Sequence, residues 1–137
     1  VTYVDPDATR RQTAGRLGAE TLSDIPDRLG PYPVTVDSSG DPRGLALALR
    51  STAPDGVCTS TAIYFDGDPP LPLLDMYVNG ITFVTGRGHV RGTIPHVLDL
   101  VAGGRLHPDT ITTRVITWED APAALLEPDW TKLVFER

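Results

Sequence analysis

Residues 34–63 read VTVDSSGDPRGLALALRSTAPDGVCTSTAI, and this stretch decides the fold class. Val34-Thr35-Val36 is β-branched throughout, which predicts a strand. Ser38-Ser39-Gly40 closes it with turn-forming residues. A helix is expected over Gly44 to Arg50, with Pro42 near its start, where the missing N–H costs least. Gly56 to Phe65 then carries the most continuous strand signal of the chain, in Val57-Cys58-Thr59-Ser60-Thr61-Ala62-Ile63. A strand, a helix and a second strand in so short a span predict a βαβ unit with parallel strands.

The same alternation continues on both sides. Toward the N-terminus, Thr2-Tyr3-Val4 predicts a short strand ending at Asp5. Ala8 to Leu17 reads as a helix, with Asp7 as N-cap and Gly18 as its stop. Glu20-Thr21-Leu22 is a further short strand, followed by a loop through Pro26, Gly30, Pro31 and Pro33. Toward the C-terminus, Asp66-Gly67-Asp68-Pro69-Pro70 is turn chemistry, and Leu71 to Val78 is apolar without a clear period. Ile81 to Val84 predicts a strand that runs into Gly86-Arg87-Gly88. A helix is expected from Ile94, with Pro95 in its first turn, Val97, Leu98, Leu100 and Val101 on its apolar face, and Gly103-Gly104 at its end. Ile111 to Trp118 predicts a strand, Glu119 to Leu126 a short helix, and Leu133-Val134-Phe135 a last strand.

This order predicts an α/β fold with a mostly parallel sheet in one domain. The strands are apolar runs, so both of their faces are expected to be covered. A chain of 137 residues, 40% hydrophobic and 22% charged, can fill one core. Its net charge of -6, with Lys and Arg scattered, argues against nucleic acid as a partner. No apolar run approaches a membrane span and no signal peptide opens the chain, so a cytoplasmic location is expected. Cys58, the one cysteine, excludes an internal disulfide and any zinc site built from several thiolates.

Several segments in order resemble one family. Val4-Asp5 followed by a helix ending Arg16-Leu17-Gly18-Ala19 resembles the second strand and following helix of medium-chain dehydrogenases. Val36-Asp37-Ser38-Ser39-Gly40 resembles that family's fourth strand and its cofactor-side loop, and Gly56-Val57-Cys58-Thr59 its fifth strand. Gly104-Arg105-Leu106, Ile111-Thr112-Thr113, Trp118-Glu119-Asp120-Ala121-Pro122-Ala123-Ala124 and Lys132-Leu133-Val134 look like the C-terminal end of zinc-type alcohol dehydrogenases. The resemblance implies a partial Rossmann domain, a doubly wound sheet lacking its first strand and glycine-rich loop. By resemblance, residues 1–137 run from the second strand to the C-terminus of an NAD(P)-binding domain, and the zinc-holding catalytic domain is absent. Val1 in place of Met also fits a fragment.

The G-x-G-x-x-G fingerprint that cradles the pyrophosphate stands about 20 residues before the acidic residue of the ribose site. With Asp5 as that acid, the glycine loop is expected before Val1. Gly86-Arg87-Gly88-His89-Val90-Arg91-Gly92 is a decoy, one residue too long, read as a loop near the nicotinamide. A carboxylate at Asp5 can accept both ribose hydroxyls of NAD and repels the 2′-phosphate of NADP. The alternative, a turn residue before Pro6, is outweighed only by the resemblance. Arg10 lies beside the adenine ribose by resemblance, or on a solvated helix face. Ser38, Ser39 and Gly40, with Thr61, Ala62 and Ile63, stand where backbone groups of the family meet the nicotinamide and its ribose. Read by themselves, they are ordinary strand ends.

Gly86 and Arg87 stand where the family holds the carboxamide, and Arg87 and Lys132 could face a pyrophosphate or only solvent. His89, His96 and His107 are too scattered for a metal site, and Cys58 reads as a small core residue. The resemblance implies NAD-dependent hydride transfer between an alcohol and an aldehyde or ketone, with zinc in the full-length family but no zinc ligands in this chain. Alone, the chain is expected to be inactive. A non-catalytic remnant, a nucleotide-binding module, and a zinc-free quinone reductase of the same superfamily are the alternatives. Without a first strand at the sheet centre, two strands keep unpaired edges. Marginal stability is therefore expected, with dimerisation, strand exchange or direct pairing of the flanking strands. The dinucleotide, a second copy through residues 71–82 and a separate catalytic-domain chain are the expected partners.

Overall fold

Strands and helices alternate along the chain as the sequence pattern requires, and the strand pairings are parallel. A computed structural model describes residues 1–88, 90–127 and 130–137. The elements are β1 (Thr2–Val4), α1 (Ala8–Arg16), β2 (Glu20–Leu22), β3 (Tyr32–Asp37), α2 (Pro42–Arg50) and β4 (Thr52–Ser60). They continue with α3 (Leu73–Asn79), β5 (Thr82–Thr85), α4 (Val90–Ala102), β6 (Arg114–Thr117), α5 (Ala121–Ala124) and β7 (Leu133–Glu136). The α/β class is thus the observed one. The strands form three sheets rather than one: β1-β2, β3-β4-β5 and β6-β7.

Helix ends follow local chemistry. The Asp7 side chain caps α1 by accepting from the Arg10 N–H, and Gly18 turns the chain at φ +86°. Asp41 caps α2 in the same way, accepting from the Arg43 N–H, with Pro42 as the first helical residue. Leu45, Leu47, Ala48 and Leu49 are the buried residues of α2. Leu45, Ala48 and Leu49 meet Cys58 of β4, and Tyr64, Met76, Ile81 and Phe83 pack around them.

Several boundaries differ from expectation. β4 begins at Thr52, not Gly56, because Thr52 already pairs with Tyr32. The ladder then shifts to Val34 opposite Val57, and Asp55 sits in the left-handed region at φ +60°. β4 ends at Ser60, not Phe65, because its neighbour β3 ends at Asp37, the residue paired with Ser60. The untyped stretch 71–78 contains α3, which Gly80 ends at φ +61°. α4 starts at Val90 rather than Ile94, so Pro95 lies inside the helix, where it withholds one backbone donor. The strand expected over Ile111 to Trp118 shortens to β6, because Ile111 closes a 3₁₀ turn and β7 offers only four partners. The last helix shortens to α5.

The expectation that both strand faces are covered is overturned for the central sheet. Parallel register aligns Thr35, Cys58 and Phe83 in one row and Asp37, Ser60 and Thr85 in another, on the face that meets α2. The opposite face carries Val34, Val36 and Val84, which are 66%, 61% and 47% exposed. Buried polar residues of the central sheet are hydrogen-bonded. Thr52 Oγ1 donates to the Ala48 carbonyl at 2.9 Å and lies 2.8 Å from Thr35 Oγ1. An apolar run in a parallel strand therefore does not by itself imply two covered faces.

Direct pairing of β1 with β3 is not observed among the described residues; they belong to different sheets. A hydrogen bond of 2.8 Å between the Thr2 hydroxyl and the Tyr32 phenol links them.

Candidate functional site

The register of the central sheet builds the site. Asp37 pairs with Ser60, and Ser60 with Thr85, so three parallel strands end at one level. The segments that follow them are 38–40, 61–63 and 86–87. Ser38, Ser39, Thr61, Ala62, Ile63, Gly86 and Arg87 thus share the carboxyl edge of one sheet, where open parallel sheets bind ligands. Ser38 and Thr61 touch directly, hydroxyl to hydroxyl, at 2.7 Å. Gly86 has φ +151°, and no atom lies where its Cβ would stand. A half-open cavity of ≈ 380 Å³ adjoins this edge, with Gly40, Pro42, Ile63, Phe65, Pro69 and Pro70 among its lining.

Asp37 holds this edge together. Its side chain is buried, with the residue 3% exposed. One carboxylate oxygen accepts from the Ser39 N–H at 3.1 Å and the Ser39 hydroxyl at 2.7 Å. The other accepts from the Ser60 hydroxyl at 2.8 Å and the Tyr64 phenol at 2.7 Å. Its backbone carbonyl accepts from the Thr61 N–H at 2.9 Å. Burial pushes the carboxyl up, but the bonds from Ser39, Tyr64 and Ser60 outweigh it and hold Asp37 below the ordinary carboxylate value. Tyr64 responds in reverse: burial, then the bond to Asp37 and its charge, push the phenol up to about 12.

Asp5 and Arg10 form a second cluster on the smaller sheet. The Asp5 N–H donates to the Leu22 carbonyl at 3.1 Å, which extends the β1–β2 ladder by one bond. One Asp5 carboxylate oxygen accepts from the Asp7 N–H and the other from the Tyr3 phenol, each at 2.8 Å. Arg10 Nη1 lies 3.8 Å from the carboxylate. Asp5 thus shapes the turn and stands at the end of a strand. A carboxylate has about four acceptor positions, and these two bonds leave about half of them open.

Cys58 is fully buried, and burial pushes its thiol up, as befits a core residue. Lys132 sits beside the separate β6–β7 sheet, with its carbonyl accepting from the Thr113 hydroxyl at 2.8 Å. His89 lies outside the described residues. Among the described residues, no group of three His, Cys, Asp or Glu could hold a metal ion. None of their helices is long and apolar enough to cross a membrane.

Comparison with solved structures gives this geometry a context. The 2R,3R-butanediol dehydrogenase of Bacillus subtilis superposes with a TM-score of 0.82 at 23% identity, over 98% of this chain and 43% of its own. The alcohol dehydrogenase TADH of Thermus sp. ATN1 gives a TM-score of 0.76 at 26% identity, over 98% of this chain and 44% of its own. The fold is that of part of a zinc-type alcohol dehydrogenase. This chain spans less than half the length of either structure. Among other dehydrogenases of similar fold, one was solved with NADH and one with NADP. No family model matches the sequence, and no curated protein matches it.

Within this dehydrogenase fold, sequence reasoning named the loop residues but not Asp37 and Tyr64, which join them. The available signal was an acidic residue inside an otherwise apolar strand, Val34 to Val36, which requires partners if it is buried. Tyr64 lies 27 residues away, and nothing local marks it as that partner.

Proposed function

We propose that this chain carries the ribose and nicotinamide side of a dinucleotide site in an NAD-dependent, zinc-type alcohol dehydrogenase. The observation that supports this reading most is the common level at which β3, β4 and β5 end, with the three candidate segments side by side. NAD, when bound, takes or returns the hydride exchanged between an alcohol and a carbonyl. The chain's own part is to bind and orient it. Backbone groups at 38–40, 61–63 and 86–87 face the nicotinamide end. Asp5, with its open acceptor positions, takes the hydroxyls of the adenine ribose, and Arg10 flanks it.

The same carboxylate favours NAD over NADP, because a 2′-phosphate would bring like charge against Asp5. The described residues supply no zinc ligand set, so no chemical step is assigned to zinc here. The pyrophosphate cradle and the catalytic zinc belong, in this reading, to residues outside this chain, and the chain alone turns over no substrate. A cytoplasmic homodimer completes the proposal. The exposed Leu73, Leu74, Tyr77 and Val78 of α3, at 65%, 76%, 86% and 70%, support the dimer.

The test is a titration of the chain with NADH, followed by energy transfer from Trp118 and Trp130 and repeated with NADPH. Saturable binding that is weaker for NADPH and lost in Asp5→Ala is the expected result. Equal binding of both, or binding indifferent to Asp5→Ala, would overturn the assignment of Asp5.

A further inference from the structure

Four donors converge on the Asp37 carboxylate, from Ser39 (backbone and side chain), Ser60 and Tyr64. A carboxylate offers about four acceptor positions, so Asp37 has none left for a ligand. It is neither a free base nor a direct contact for substrate or cofactor. The bonds divide by oxygen: one oxygen serves the loop after β3, the other the end of β4 and the loop beyond it. We propose that Asp37 is a positioning residue that locks the loops after β3 and β4 into a single ligand-contacting edge. This rests on the dinucleotide reading for the identity of the ligand, but not for the coupling of the loops.

Two further contacts extend the network. The Ser39 hydroxyl oxygen also accepts from the Asp41 N–H at 3.0 Å, which ties the β3 loop to the cap of α2. Gly44, inside α2, leaves the space that Ser39 occupies. A Cβ there would collide with the Ser39 hydroxyl and approach its Cβ to 2.8 Å. Glycine is unfavourable within a helix, and here its absent side chain seats a hydroxyl against Asp37. On the other side, Tyr64 packs against the core of Leu45, Ala48, Leu49 and Cys58 and also lines the cavity. The carboxylate thus connects the α2 cap, the sheet edge and the cavity wall.

The experiment compares amide NMR spectra and NADH affinities of the chain and three variants. Asp37→Asn removes the shared charge and replaces one of the two acceptor oxygens by an NH2 donor, Tyr64→Phe cuts only the β4 side, and Gly44→Ala displaces only Ser39. Asp37→Asn is expected to shift the amides of both 38–40 and 61–64, while each one-sided variant shifts only its own segment. NADH binding weakens about tenfold in Asp37→Asn, the scale of one lost hydrogen bond to a charged group, and Asp37→Glu restores part of it. Leu49→Ala, which weakens the same core, leaves the affinity of the folded protein unchanged.

A folded Asp37→Asn whose shifts stay on the β3 side, or whose NADH affinity equals that of the parent, overturns the proposal. If the parent chain binds no NADH, the dinucleotide reading fails. The positioning role is then decided by whether both loops shift. If Asp37→Asn does not fold, the Gly44→Ala/Tyr64→Phe double variant decides it. Shifts in both loops with weakening beyond either single change sustain the role, and their absence overturns it.

Discussion

Asp37 and Asp5 both stand at the ends of parallel strands, and the protein uses them in opposite ways. Asp37 sits on the inner row of a three-strand sheet, 3% exposed, with donors around both oxygens. Asp5 follows a three-residue strand of a two-strand sheet, with one short bond to each oxygen and Arg10 at 3.8 Å. The first is saturated and organises its neighbours. The second leaves about half of its acceptor positions open. Both are aspartates at strand ends, so the distinction lies in how many donors the fold delivers.

The largest effect expected from this contrast is on stability. Asp37→Ala leaves the buried Ser60 hydroxyl without its acceptor and strips Ser39 and Tyr64 of theirs, and should cost about 3 kcal/mol, read as a lower urea midpoint. Asp5→Ala, whose donors reach water more easily, should cost about 1 kcal/mol or less in the same titration. Equal losses would dissolve the distinction.

Acid sensitivity sharpens it. The folded Asp37 carboxyl lies below its ordinary value, so its contribution is full above the unfolded value of about 4. That contribution fades as pH falls through the folded value. Parent and Asp37→Asn should therefore differ most in urea midpoint near neutral pH and converge in acid. A gap that stays constant with pH would mean that the Asp37 charge contributes nothing.

Cofactor choice reverses the ranking of the two residues. Asp5→Ala should abolish the binding of NADH, while Asp37→Asn should weaken NADH and NADPH alike and keep the preference between them. Paired titrations would show this, and a changed preference in Asp37→Asn would place Asp37 in direct contact with the ribose. The smallest effect belongs to Arg10, whose side chain is 58% exposed. Arg10→Ala should alter stability by about 0.5 kcal/mol or less, detectable only as a slight shift of the thermal midpoint.

Much of this was legible in local sequence. The Asp7 cap, the Gly18 stop and the βαβ order all depend on neighbours within a few positions. Boundaries were missed where a distant partner set them. Thr52 joins β4 because Tyr32 is beside it, and the strand stops at Ser60 because β3 stops at Asp37. The uncovered Val34 and Val36 were missed for the same reason, since an apolar run specifies burial but not the element that supplies it.

The sequence by itself therefore determined the alternation of strands and helices and the caps of the first two helices. Those properties follow from backbone preference and side-chain type, which act over a few residues. Only the tertiary structure decided that the strands divide into three sheets and that β3, β4 and β5 end at one level. It also decided that Asp37 is saturated while Asp5 is partly open. The physical reason is that a carboxylate's role depends on donors brought from elsewhere. Ser60 and Tyr64 reach Asp37 across 23 and 27 residues, a distance only the folded sheet closes.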